Sequence, residues 1–111
     1  MKTSELSGAA LDWAVSMVVE NSRPFPIWLD GKPQSYAAYS TDWAHGGPII
    51  EREELNIFCL GSVWEAWPNS GMNDDQFCQG PTLLIAAMRC YVASKLGNEV
   101  EIPEELVGEQ A

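Results

Sequence analysis

At 111 residues the chain has the length of a single domain and can bury roughly two-thirds of its unfolded surface, enough for a core without metal or disulfide staples. Hydrophobic residues at 46% and charged residues at 20% are ordinary globular proportions, and no apolar run approaches the roughly 18 residues of a membrane span. Sixteen acids against six bases give a formal charge of −10, which repels nucleic-acid phosphate and argues against direct DNA or RNA binding.

The expected organisation is one domain over 1–111 with an acidic tail over 98–111, where Glu99, Glu101, Glu104, Glu105 and Glu109 follow Lys95 with no base among them. The segment Met1-Lys2-Thr3-Ser4-Glu5-Leu6 lacks the basic region and apolar stretch of an export signal, so the expected location is the cytoplasm. Cys59, Cys78 and Cys90 cannot all pair and show no C-x-x-C spacing. Neither a disulfide framework nor a zinc ribbon is signalled, and a reducing compartment fits.

In chain order, Leu11, Ala14, Val15 and Val18 share one helical face and predict an amphipathic helix over about 7–20. Ser7 is its expected N-cap, with Leu6 placed to staple onto Leu11. Pro24 and Pro26 forbid continuation. Residues 22 to 39 carry three prolines and the Asp30-Gly31 turn signal, and read as a long connection with a short edge strand at Phe25 to Leu29. Ser40-Thr41-Asp42 offers cap chemistry for a helical turn through Trp43 and Ala44, which Gly46-Gly47-Pro48 is expected to interrupt. Pro48 then suits the first turn of a short middle helix, about 48–54.

Asn56 to Leu60 and Val63 to Trp67 are β-prone runs around Gly61-Ser62, a two-residue loop with glycine first, as a type II′ turn requires. In that hairpin (about 56–67), Ile57, Cys59, Trp64 and Ala66 share one face, and Phe58, Leu60, Val63 and Trp67 the other. Both faces are apolar and call for cover. Asn69 to Gly80 reads as a mobile loop. From Pro81 as first helical residue to Gly97 just past the end, the chain predicts a long apolar C-terminal helix, about 81–96, largely buried. The expected class is α+β, a small hairpin-based sheet packed between the N-terminal, middle and C-terminal helices.

The strings Lys2-Thr3-Ser4-Glu5-Leu6, Leu11-Asp12-Trp13-Ala14-Val15, Ser40-Thr41-Asp42-Trp43-Ala44, Gly46-Gly47-Pro48-Ile49-Ile50-Glu51 and Gly80-Pro81 through Gly97 resemble the NinX-like family of small phage and prophage proteins. The resemblance implies phage origin and the host cytoplasm. It carries no assigned activity and no catalytic residues.

Chemistry-bearing residues are few. His45 is the only histidine, and none of His45, Cys59, Cys78 and Cys90 stand at metal-ligand intervals. Cys90, inside an apolar helix, is expected to behave as a small hydrophobe. Asp74-Asp75 lacks the alternating ligands of a calcium loop, and Gly46-Gly47-Pro48 is a lone glycine signal for an anion. No nucleotide-binding or nucleophile-elbow motif exists, so no catalytic, metal or cofactor residue is assigned. Trp13, Trp43 and Trp64 are expected to pack in the core, whereas Trp28 suits packing or an interface equally. Arg89 is expected to pair with a carboxylate or mark a polar patch. Trp28, Asp42, Trp43, His45 and Arg89 are the candidate interaction surface.

Three functions compete. The first is a non-enzymatic phage accessory protein that binds a host or phage protein. The second is an acidic DNA mimic that inhibits a host factor. The third is a small enzyme with a site near His45. Because a lone hairpin is marginal in water, something must complete it, either Phe25 to Leu29 as a third strand or a second copy in a homodimer.

Overall fold

The computed structural model describes residues 2–20, 27–29, 32–34, 39–69 and 77–102. After a 3₁₀ turn at Thr3–Glu5 come α1 (Gly8–Glu20), β1 (Ile27–Leu29), β2 (Lys32–Gln34), α2 (Trp43–Glu53), β3 (Asn56–Cys59), β4 (Trp64–Trp67), β5 (Cys78–Gly80) and α3 (Leu83–Leu96). Among the described residues, three α-helices and a three-stranded antiparallel sheet in the order β3-β4-β5 make an α+β fold.

Helix α3 is the element around which α1, α2 and the sheet β3-β4-β5 assemble, because two of its faces are buried at once. Ala87, Met88, Tyr91 and Val92 join Leu6, Ala10, Leu11, Trp13, Ala14 and Val15 in the main core. Ala86, Cys90 and Ala93, spaced i, i+4 and i+7, form a second cluster with Ala66 of β4 and Cys78 of β5. Among the described elements, α3 therefore lies between the sheet and α1 and α2, rather than the sheet between helices. The small residues of the sheet-facing stripe let the backbones approach closely: a Cβ on Gly80 would stand 2.8 Å from the Ala86 nitrogen. Thr82 caps α3 by accepting from the Ile85 N–H at 3.1 Å. Pro81 thus precedes the helix instead of opening it. Gly97, with φ at +90°, ends it where expected.

The middle helix corrects the sequence expectation most. It runs from Trp43 to Glu53 with Pro48 inside it, not from Pro48. Asp42 is its N-cap, accepting the Ala44 N–H at 2.9 Å. Two glycines make the continuous helix feasible. A residue before proline normally leaves the helical region because its Cβ meets the proline ring, and Gly47 has no Cβ. Gly46 is buried against the Tyr39 carbonyl and the Leu84 side chain, where a Cβ would collide with both.

The hairpin forms in the expected register, with Ile57 opposite Ala66 and Cys59 opposite Trp64. The Leu60 N–H closes it on the Val63 carbonyl at 2.8 Å, with Gly61 at φ +92°. Its third strand is β5, drawn from the stretch read as a mobile loop, with Cys78 opposite Ala66. Of the expected strand Phe25 to Leu29, residues 27–29 pair instead with β2 in a separate two-stranded sheet. The hairpin therefore has its third strand within the chain. Residues 70–76 and 103–111 lie outside the described residues. The first part of the acidic stretch is tied down: Thr3 donates its N–H to the Asn98 carbonyl at 2.8 Å and its hydroxyl to that of Gly97 at 2.7 Å. Val100 is buried while Glu99 and Glu101 stay exposed.

Candidate functional site

The five candidate residues fall in separate places. Asp42, Trp43 and His45 share the exposed first turn of α2. Trp43 is 57% exposed and lies along the helix over Gly47, so it is not the core residue expected from the sequence. Trp13 is buried and Trp64 packs on the sheet-side cluster, as expected. The backbone of Trp28 sits in β1 opposite Pro33.

Behind His45 stands a residue the sequence reading passed over. Asp12, in α1, is 6% exposed and accepts the Ser40 backbone N–H at 2.8 Å, tying α1 to the turn that leads into α2. Burial raises its pKa above the ordinary 3.8. The bond from the Ser40 N–H and the charge of His45 pull the other way. The Tyr39 ring meets His45 edge-on at 6.1 Å. The signal for Asp12 was available: it is the only acid in the run Ala9-Ala10-Leu11-Asp12-Trp13-Ala14-Val15, where solvation is denied by its neighbours.

Arg89 belongs to another corner. Its Nε donates to the Leu6 carbonyl at 2.6 Å and its Nη1 to the Gln79 carbonyl at 2.7 Å. It clasps backbone where a carboxylate partner was expected. Burial holds its pKa below the ordinary value, opposed by the nearby Glu5 carboxylate and Cys78 thiol. A cleft of about 560 Å³ opens beside it, lined among others by Ser4, Ser62, Phe77 and Gly80.

The thiols divide by position. Burial pushes Cys78 up to about 11 and Cys90 up to about 12, so both are poor nucleophiles, and Cys59 is exposed. Among the described residues no three of His, Cys, Asp and Glu gather as a metal would need. No helix of the described residues is long and apolar enough to cross a membrane.

The outer face of the sheet, away from α3, is the other open region. Phe58 is 42% and Leu60 51% exposed. Among the described residues nothing packs over this face, because α3 takes only the Ile57, Trp64 and Ala66 side. Beside these residues Trp67 and Phe77 stack at 4.5 Å with their planes 12° apart. Between them Glu65 accepts from Trp67 Nε1 at 2.6 Å and from Gln79 Nε2 at 3.0 Å. Those two bonds hold its carboxyl below the usual range.

The family described as bacteriophage P22 NinX matches residues 2–95. The chain belongs to this NinX phage family. No curated protein matches it. The NinX match runs from the N-terminal turn through the described strands to the last turn of α3, so Asp12, Asp42, Trp43, His45, Phe58, Glu65 and Arg89 lie within the family's own extent.

Proposed function

We propose that the chain is a non-enzymatic protein-binding module of phage origin that acts in the host cytoplasm. The observation that supports this is the outer face of the sheet, where Phe58 and Leu60 stand exposed beside the Trp67–Phe77 pair. Large apolar side chains grouped on one face, rimmed by polar residues, are the usual mark of an interaction surface. Several groups an enzyme could use are otherwise engaged. Arg89 is spent on two carbonyls, Asp12 on the Ser40 amide, and the two buried thiols are protonated.

The test is affinity capture with the full chain from extracts of infected and uninfected host cells. A discrete protein should be enriched, and the double variant Phe58→Ser, Leu60→Ser should lose it by about tenfold or more. Equal recovery by the variant, or no enrichment above a charge-matched control, ends this reading.

A further inference from the structure

Among the described residues, the two outer edges of the sheet β3-β4-β5 pair with no further strand, and they are not alike. Antiparallel pairing alternates between residues that bond their partner and residues whose N–H and C=O point to the other side. The Leu60 to Val63 bond fixes that alternation. Counting back along β3, Phe58 and Asn56 bond β4, while Ile57 and Cys59 turn their N–H and C=O to the open edge. On β5 the same count turns Gln79 outward.

The β5 edge is closed. Arg89 Nη1 occupies the Gln79 carbonyl at 2.7 Å, and Pro81, the next outward position, has no N–H to give. The β3 edge has neither device. It carries no proline and no lysine, and its strand exposes Asn56, Phe58 and Cys59. Two donors and two acceptors stand there in strand geometry beside exposed apolar side chains, which is the equipment for strand addition.

We infer that the free edge of β3 takes up, as an added strand, an extended segment of another protein in which lysine or arginine alternates with apolar residues. This rests on the protein-binding reading above and specifies its partner. Charge selects the occupant. The chain carries −10 overall. Glu54 is exposed just before β3, and Glu65, opposite Phe58, holds its carboxylate on the outer face. A residue facing Phe58 from an added strand would stand two strand spacings, roughly 10 Å, from Glu65. A lysine or arginine lying over the Phe58 ring spans that gap and gains a cation–π contact on the way. A second copy of this chain is a poorer occupant. Its own β3 has no base to offer either glutamate, and it brings ten further negative charges.

The probe is a fluorescein-labelled peptide of alternating lysine and valine, titrated against the full chain by fluorescence polarisation. Alongside run two analogues N-methylated on alternate residues, one for each alternation, and a glutamate–valine analogue. The parent should bind, one N-methylated form should bind about tenfold more weakly or worse, and the acidic form should not bind at all. Glu65→Gln, compared at the same folded fraction because it also gives up one of the acceptors that Trp67 and Gln79 use, should weaken the parent several-fold. Because the peptides carry the decisive changes, a variant that folds poorly cannot mask the outcome. Equal binding of both N-methylated forms overturns strand addition. So does a parent that fails to bind at about 1 mM, or a dimer in sedimentation whose formation excludes the peptide. If any of these occurs while the Phe58→Ser, Leu60→Ser variant still loses its captured partner, the protein-binding reading stands and this one falls. If capture fails as well, both fall.

Discussion

Arg89 and Asp12 are both charged side chains spent on backbone, and the two corners they hold differ in what that charge costs. Arg89 reaches back 83 residues to the Leu6 carbonyl and 10 to that of Gln79, pinning the N-terminal segment and the sheet edge to α3. Asp12 reaches 28 residues forward to a single amide, that of Ser40, and pins the turn before α2 to α1. A guanidinium keeps its charge through any physiological pH and can serve two acceptors from one rigid fork. A buried carboxylate is charged only as far as its surroundings compensate, and for Asp12 burial outweighs its one bond and the His45 charge. The molecule thus has a pH-blind clasp beneath the sheet and a titratable one beneath the exposed turn that carries Trp43 and His45.

Breaking the stronger clasp is the first test of that contrast. With two bonds from a charged donor at about 1.5 kcal/mol or more each, Arg89→Ala should lose on the order of 3 kcal/mol in urea unfolding at neutral pH. Arg89→Lys should recover less than half of it, since one ammonium cannot copy the fork that spans two carbonyls. A loss below about 0.5 kcal/mol for the alanine variant, the range of a neutral surface change, would show that the N-terminal segment and β5 are held by packing alone.

Asp12→Ala should cost less, about 2 kcal/mol by the same measurement, because it strands one buried N–H rather than two carbonyls. Hydrogen exchange sharpens the point. The Ser40 amide should lose protection in this variant while the amides of α3 keep theirs, since the damage is confined to the turn. Loss of protection throughout would mean that Asp12 supports the core as a whole.

How far each corner was legible in the sequence follows from where its partners lie. The hairpin and α3 could be read because their signals are local: Gly61-Ser62 between two β-prone runs, and a Leu83 to Leu96 segment bounded by Pro81 and Gly97. The continuation of α2 through Pro48 was misread because proline alone was weighed, when Gly47 removes the steric reason for a break. Strand β5 is Cys78-Gln79-Gly80, with no strand propensity of its own. It is extended because β4 pairs with it and Arg89 holds its outer carbonyl. Arg89 stood out as a base in an apolar segment, yet its acceptors are main-chain groups that no side-chain pattern announces. Asp12 was marked as the lone acid of an apolar run, but its partner, an amide 28 residues away, was not. The exposed outer face follows from the hairpin pattern, but which face α3 would choose depended on the small stripe Ala86, Cys90 and Ala93 meeting Ala66.

The finest test separates charge from hydrogen bonding at Asp12. Asparagine keeps an oxygen to accept the Ser40 N–H and cannot ionise, so Asp12→Asn isolates the titration. Burial is the larger influence and raises the folded-state pKa above 3.8, with Ser40 and His45 only opposing it. The folded chain therefore prefers the protonated acid. That preference contributes stability fully below the unfolded-state value, and the contribution is lost as pH rises through the higher folded-state pKa. Unfolding of both proteins by urea, compared from about pH 3 to pH 7, should show the wild type losing ground to the variant as pH rises from 3.8 through the raised folded-state pKa, and the gap then holding constant. His45→Ala removes a charge that favours the ionised acid, so it should carry the same transition to higher pH. A gap that stays flat throughout would mean that Asp12 titrates alike in both states. A gap that moves in favour of the wild type as pH rises would mean that Ser40 and His45 outweigh burial, and the contrast with Arg89 would then be one of reach and not of charge.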